Sequence, residues 1–367
     1  MAEILVDLLK SLGINFGYFR VFDYITFRVI MAAMTALLVE ILFGHTFIVW
    51  LYRRRLRDTG SDYLSLSTND KRGTPTAGGL LIMVAVAVSL FLWGRPTSVY
   101  LIAVASSFFY FGLVGLFDDW QKVRLKSSLF GLGQAAKSLL QLAFIVPFAT
   151  WLVTASPLPL HLRTTFYLPF LKNATWDAGP WVFGAFVVFA FYSVVNAVNI
   201  TDGMDGLVTM PAVMVAVLYG VFGYILGNSI LARYLIFPYM PGAGELTVFA
   251  GALAGGLFGF LWFNAYPAEV FMGDTGSMAT GAALASLAFL TRQEMLFPLT
   301  GGVFVASIAS SLIQEKIGMR IGRRIFLRAP LHHGQTHKGI AEPKVVVRYW
   351  IISVLLTLLA ALSIKVR

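Results

Sequence analysis

No cysteine occurs anywhere in the 367 residues. Disulfides and thiolate metal sites are thereby excluded, and the redox compartment is left undetermined. Charge is scarce. Asp, Glu, Lys and Arg make up 13% of the chain, against about 25% for a soluble domain. The first twenty residues lack the basic start and small-residue cleavage site of a secretory signal. Over 1–20, Ile4, Leu5, Leu8, Leu9 and Leu12 would instead share one side of a short interfacial helix. What the chain has in excess is apolar, 58% of all residues. This composition predicts one polytopic, all-α integral membrane domain over 1–367.

Ten apolar segments are expected to cross: 24–50, 77–94, 99–119, 130–153, 181–200, 206–227, 245–263, 278–291, 295–316 and 346–364. The eighth is the shortest and needs its flanks to span about 30 Å of hydrocarbon. Basic residues orient the stack. Of the 28 Lys and Arg, 18 fall on the face that carries the first interhelical loop. That face is therefore cytoplasmic, and ten crossings put both termini on the other side. The net charge of +10 then reflects topology and anionic lipid rather than nucleic acid, for which no aromatic-interleaved groove is present. The polar stretch 154–180 faces outward and has room for a small hairpin or surface helix. Its NAT at Asn173 fits a common glycosylation pattern of little weight. No internal repeat stands out. Small and aromatic residues could form a homodimer seam, but the pattern selects none.

Against this apolar background the acids are unusual. The third segment ends in FDDW, with Asp118 and Asp119 adjacent at a helix C-terminus, where carboxylates are unfavourable. Asp202 and Asp205, in NAVNITDGMDGL, fall on the same face, as does Asp274 in WFNAYPAEVFMGDTGS. Carboxylates gathered at a low-dielectric boundary are costly unless a cation offsets them. Hard oxygen donors without sulfur suit Mg2+, with Asp118, Asp119 and Asp274 as its candidate ligands. Asp205 is placed to cap the following helix. Asn196 and Asn199 share one face of the preceding one.

Cations complete the group. Lys71 and Arg72 precede a Thr/Gly turn containing Thr76, whose hydroxyls and N–H groups suit phosphate oxygens. It is not a Walker loop. Lys137 follows GLFGLGQAAK. His332, His333 and His337, three of the five histidines, lie in a basic loop over 317–345. The spacing of a structural zinc site and the H-E-x-x-H pattern are both absent. Acids, cations and a divalent metal at the membrane face point to phosphoryl transfer from an activated phosphate compound, with a lipid-linked acceptor within reach.

KRGTPTAGG, GLFDDWQK, NAVNITDGMDGL, GFLWFNAYPAEVFMGDTGS and APLHH, in this order, closely resemble the phospho-N-acetylmuramoyl-pentapeptide transferases, within the polyprenyl-phosphate N-acetylhexosamine-1-phosphate transferase superfamily. The likeness runs from about Phe22 to the last residues. It implies Mg2+-dependent transfer of phospho-N-acetylmuramoyl-pentapeptide from UDP-N-acetylmuramoyl-pentapeptide to undecaprenyl phosphate. The products would be lipid I and UMP, at the bacterial inner membrane, in the first membrane step of peptidoglycan synthesis. By motif match it implies that Asp118 and Asp119 are the paired aspartates, one deprotonating or positioning the lipid phosphate, and that Asp274 is a metal ligand. It also implies a nucleoside pocket of Lys71, Asp205, Asn264 and Phe271, with Phe271 stacking on uracil. Asn196, Asn199 and Asp202 would line the cleft, Lys137 would meet phosphate, and His332 and His333 would be the loop histidines. Direct attack of the lipid phosphate is favoured over a covalent aspartyl intermediate, because a chelated diphosphate needs no covalent step.

Two stretches depart from the family pattern. In HHGQTHKG, Gly334 stands where a third histidine is usual, and His337 is a candidate to compensate. The loop 58–70 is also atypical. Two other readings compete: a sister enzyme that transfers N-acetylglucosamine-1-phosphate, and a transporter, since intramembrane acids and broken helices also mark ion pathways.

Overall fold

The computed structural model describes residues 21–54, 73–125, 131–171 and 175–365. The expected interfacial helix over 1–20, the loop 58–70, Lys71, Arg72 and Asn173 lie outside the described residues. In chain order the helices are α1 (Ile25–Arg53), α2 (Gly79–Trp93), α3 (Val99–Arg124) and α4 (Gln134–Thr154). A two-stranded antiparallel hairpin, β1 (Thr165–Tyr167) and β2 (Thr175–Asp177), follows with Phe166 opposite Trp176. Then come α5 (Gly179–Thr201), α6 (Thr209–Gly227), α7 (Ser229–Tyr234), α8 (Gly244–Asn264), α9 (Gly273–Leu290), α10 (Phe297–Thr300), α11 (Gly302–Leu312), α12 (Leu331–His337) and α13 (Glu342–Ala361).

All ten expected segments fold as helices. Among the described residues, seven are long and apolar enough to cross a membrane, and a bent pair brings the number to eight if the pair is one broken span. That pair, Glu294–Thr300 and Gly302–Gly318, was expected to be one straight span over 295–316. It bends by 81°, because Gly301 and Gly302 together interrupt the helix. The other two expected crossings are α2 and α9. α2 has 15 residues, about 22 Å at 1.5 Å each, short of the hydrocarbon thickness. α9 is buried at every position from Thr275 to Leu290. Its Gly, Ala, Ser and Thr residues make it a thin central rod rather than a lipid-facing helix, and so a weak hydropathy signal.

Small residues also set the packing of α1 on α8. Gly251, Gly255 and Gly259 recur every fourth position and face α1. A Cβ at Gly255 would lie 2.1 Å from the Ala33 carbonyl oxygen, so only glycine admits this approach. This stripe of small residues is buried inside the chain and is not left for a second copy.

The bundle has two chemically distinct ends. At one, the buried Arg28 of α1 donates to both Glu245 carboxylate oxygens at the start of α8 and to the Trp93 carbonyl at the end of α2. At the same end, Arg292 donates to the Thr165 carbonyl of the hairpin, pairs with Glu294 at 3.3 Å and lies over the Phe183 ring. The other end gathers the acids and histidines.

Candidate active site

α3 does not end at its acids. It runs on to Arg124, with Lys122 and Arg124 in its last turn, so Asp118 and Asp119 sit more than a turn inside the helix. The cations satisfy the C-terminal carbonyl end. Lys122, four residues on from Asp118, places its Nζ 2.8 Å from Asp118 Oδ2. Both carboxylates are buried, at 2% and 3% exposure. Successive residues on a helix point about 100° apart, and these two acids accordingly face different neighbours.

Asp119 turns toward the N-terminus of α9. Its Oδ1 accepts from the Asp274 N–H at 3.1 Å. Its Oδ2 accepts from the Thr275 N–H at 2.9 Å and the Thr275 hydroxyl at 2.6 Å. A carboxylate from one helix thus caps the first turn of another. Gly115, one turn earlier on α3, lets the two backbones meet; a Cβ there would lie 2.2 Å from the Asp274 carbonyl oxygen.

Asp118 turns toward α4. Leu132 N–H donates to its Oδ1 at 2.6 Å, and Lys137 Nζ lies 3.6 Å from its Oδ2. Asp274, lifted into place by the Asp119 cap, shares both lysines. Lys122 Nζ is 3.0 Å from Asp274 Oδ2, and Lys137 Nζ pairs with the same oxygen. Asn199, near the end of α5, donates to Asp274 Oδ1 and to Ser277 Oγ, each at 2.9 Å. Two carboxylates and two ammoniums from α3, α4 and α9 therefore form one partly buried network.

The remaining expected residues surround this network at varying distance. Asn196 bonds Gln141 of α4 at 2.9 Å and so faces α4, with no direct contact to the acids among the described residues. Asp202 ends α5. Burial, and then the negative charge of Asp274, Asp119 and Asp205, push its carboxyl up to about 8. Asp205 does not cap α6, which begins at Thr209 with no side-chain cap. Instead its Oδ2 accepts from Ala268 N–H at 3.1 Å, and its own N–H donates to Glu342 Oε1. The 202–208 turn is wide enough to put Asp205 a full turn short of the cap position. Asn264 spends its amide on the Gly206 N–H and the Val270 carbonyl. Phe271 is half-buried. Its N–H donates to the Pro75 carbonyl and its carbonyl accepts from the Gly78 N–H, so the ring is held beside the turn that carries Thr76. Thr76 and Asp119 also border an apolar cleft of about 430 Å³ lined by Trp50, Phe117 and Trp120.

His332 is fully buried, its ring 4.5 Å from that of His333. Both rings lie against Gly203; a Cβ there would be 2.9 Å from His333 Nε2 and 3.0 Å from His332 Nε2. Neither ring nitrogen of His332 has a hydrogen-bond partner. Burial, then the neighbouring His333, pull its pKa down to about 3. His337 is exposed at the end of α12, in a different environment from the tilted His332–His333 pair.

Sequence reasoning missed four participants: Lys122, Gln141, Thr275 and Ser277. Lys122 was legible from its four-residue spacing to Asp118. The others make contacts between distant segments and carry no local signal. Among the described residues no group of three or more acidic or histidine side chains is disposed to hold a metal ion. The donor chemistry nevertheless fits a hard divalent cation. Asp118, Asp274 and the Asn199 side-chain carbonyl are oxygen donors, and two flexible lysines now neutralise the carboxylates. Acids of fixed position beside mobile cations suit a reaction that moves negative phosphate oxygens.

Comparison with known proteins finds close relatives of this chain. The family model described as glycosyl transferase family 4 matches residues 100–292, from the start of α3 to just past α9. A Desulfovibrio desulfuricans phospho-N-acetylmuramoyl-pentapeptide-transferase is 42% identical over 363 residues, 98% of this chain and 99% of its own. Its Oleidesulfovibrio alaskensis counterpart is 43% identical over 365 residues, 99% of this chain and all of its own. That of Desulfosudis oleivorans is 42% identical over 367 aligned residues, again 99% of this chain and all of its own.

Proposed function

The chain belongs to the phospho-N-acetylmuramoyl-pentapeptide transferase family, and from that premise we propose that it transfers phospho-N-acetylmuramoyl-pentapeptide from UDP-N-acetylmuramoyl-pentapeptide to undecaprenyl phosphate. The products are lipid I and UMP, and the reaction is the first membrane step of peptidoglycan synthesis. The observation that carries this is identity of 42–43% over essentially the whole chain. Similarity of that extent covers every segment that contributes to the network, not one motif.

In the reaction proposed, an oxygen of the lipid phosphate bonds to the β-phosphorus of the UDP-sugar. The bond from that phosphorus to the bridging oxygen breaks, and UMP leaves. Asp118 is the candidate to position or deprotonate the lipid phosphate, because its contacts are two flexible lysines and one loop N–H. Asp119, expected as a metal ligand beside Asp118 and Asp274, has both oxygens engaged by α9, which supports a positioning role instead. Lys122 and Lys137 would release the carboxylates and follow the charge onto the diphosphate and the leaving group. Phe271 and Asp205, with Lys71, are assigned to the nucleoside, Asn264 supporting that pocket through the Gly206 N–H and the Val270 carbonyl, and His332 and His333 to the sugar-phosphate side of the α5 terminus. Asp118, Asp274 and Asn199 would hold Mg2+. Bound there, it would neutralise phosphate oxygens and stabilise the leaving group.

Ten crossings, with the site on the cytoplasmic face of the inner membrane, complete the reading. Its support is the basic bias of that face and the alternation of helix ends: the end of α3, start of α4, end of α5 and start of α9 meet together. A transporter would need its acids near the midplane, whereas these cluster at one end of the bundle. The test is to incubate the protein in lipid nanodiscs with UDP-N-acetylmuramoyl-pentapeptide, undecaprenyl phosphate and Mg2+. Equimolar UMP and lipid product is the expected result. No UMP, or UMP only from UDP-N-acetylglucosamine, overturns the assignment.

A further inference from the structure

We propose that the end of α13 nearest the histidine helix α12 is a binding site for one anionic diacyl phospholipid, separate from the catalytic network. A depression of about 490 Å³ opens there, lined by Gln335, Lys338, Ile340, Arg348, Ile351 and Ile352. That volume is of the size that holds a ligand fragment such as a headgroup with its glycerol. Lys338 and Arg348 are both exposed. Neither side chain makes an ion pair or hydrogen bond with any described residue. The nearest carboxylate in sequence, Glu342, accepts from the Asp205 N–H and is thereby turned toward the interior. Two uncompensated cations at the rim of an apolar hollow match the headgroup phosphate of an anionic lipid.

The apolar part continues along the helix. Ile351, Ile352 and Leu355 are 55%, 45% and 56% exposed, and with Arg348 they recur at the three- and four-residue spacing of one helix face. From Arg348 to Leu359, which is also exposed, the helix rises about 16 Å. That is about half of a 30 Å hydrocarbon core, the reach of an acyl chain confined to one leaflet. A polyprenyl chain of eleven units would overrun it. The hollow is lined by none of the acids and lysines of the network, although α13 also meets the substrate cleft, through Glu342 at the Asp205 N–H and Trp350 at the Gly206 carbonyl. α13 packs on α6, α10, α11 and α12, whereas the acids and lysines of the network come from α3, α4 and α9.

The test is native mass spectrometry of the full chain in detergent, titrated with phosphatidylglycerol or phosphatidylcholine. One phosphatidylglycerol per chain should be retained at a concentration at least about tenfold below that needed for phosphatidylcholine, a preference set by the charge pairing. K338Q/R348Q should remove that preference, and K338R/R348K should keep it. R53Q/R54Q, at the far basic end of α1, should leave it unchanged. On the wild-type chain alone, raising ionic strength from about 0.05 to 0.5 M should weaken phosphatidylglycerol binding and leave phosphatidylcholine binding unaffected. This arm stands even if the double variant does not fold. Equal retention of the two lipids, a preference that survives K338Q/R348Q, or salt-insensitive binding overturns the proposal. So does displacement of the phospholipid by equimolar undecaprenyl phosphate, which would assign the hollow to the acceptor substrate.

Discussion

At the scale of the residue, neighbouring Asp118 and Asp119 are chemically unlike because a helix points them at different partners. Asp119 accepts three hydrogen bonds from the first turn of α9; Asp118 meets side chains that can move away. Asp119→Ala removes charge-assisted bonds worth about 1–3 kcal/mol in a buried setting. It should lower the unfolding midpoint as well as turnover. A variant that melts like wild type and loses only turnover would make Asp119 a reacting group instead. His332 gives a pH prediction. Its ring is held neutral in the folded state, with a pKa of about 3 against about 6.5 when unfolded. As pH falls from 6.5 toward 3 the unfolded chain takes up a proton that the native chain refuses. Stability from this residue is therefore present above pH 6.5 and is lost on acidification, by up to about 1.4 kcal/mol per pH unit. Unfolding midpoints at pH 7 and pH 5 should differ less for His332→Gln than for wild type; an equal difference would assign the acid sensitivity elsewhere.

At the scale of the element, the site depends on how closely α3 and α9 approach. Gly115→Ala would set a methyl group 2.2 Å from the Asp274 carbonyl oxygen, and backbone on both sides leaves nothing flexible to yield. The helices must part, breaking the Asp119 cap and carrying Asp274 away from Asp118. Overpacking of this kind costs about 1–3 kcal/mol, and a displacement of about 1 Å at a reacting centre costs about 100-fold in rate. Assay of UMP release together with thermal unfolding checks both; wild-type rate and stability would show that the contact is not tight. The same two helices show what a sequence can and cannot reveal. Long apolar runs made α1, α4, α5, α6, α8 and α13 legible with edges close to those observed. The end of α3 was misplaced, because two acids look like a stop until Lys122 is paired with Asp118 across one turn. α9 was the weakest crossing because a helix buried among helices needs small residues rather than large apolar ones. The bend at Gly301 was hidden because its flanks are apolar on both sides.

At the scale of the whole molecule, chain segments up to 156 residues apart supply one network at one end of the bundle. Motif order and the bias of basic residues placed Asp118, Asp119, Asp274, Lys137 and the histidine loop at that end. What stayed illegible was which partner each side chain takes: that Asn196 answers Gln141, that Asp205 holds Ala268 rather than capping α6, and that Asn264 is occupied by two backbone groups. Those assignments depend on the angle at which distant helices cross, and no local pattern records it. The opposite end is tied by Arg28, Glu245 and Trp93 and by Arg292 with the hairpin. The proposed reaction requires Asp274 and Asp118 to share one reacting centre. The most direct test is the rate of UMP release by Asp274→Asn in nanodiscs containing undecaprenyl phosphate, alongside its unfolding midpoint. The expected result is a fall of at least about 100-fold with the fold intact. Release near the wild-type rate would contradict it.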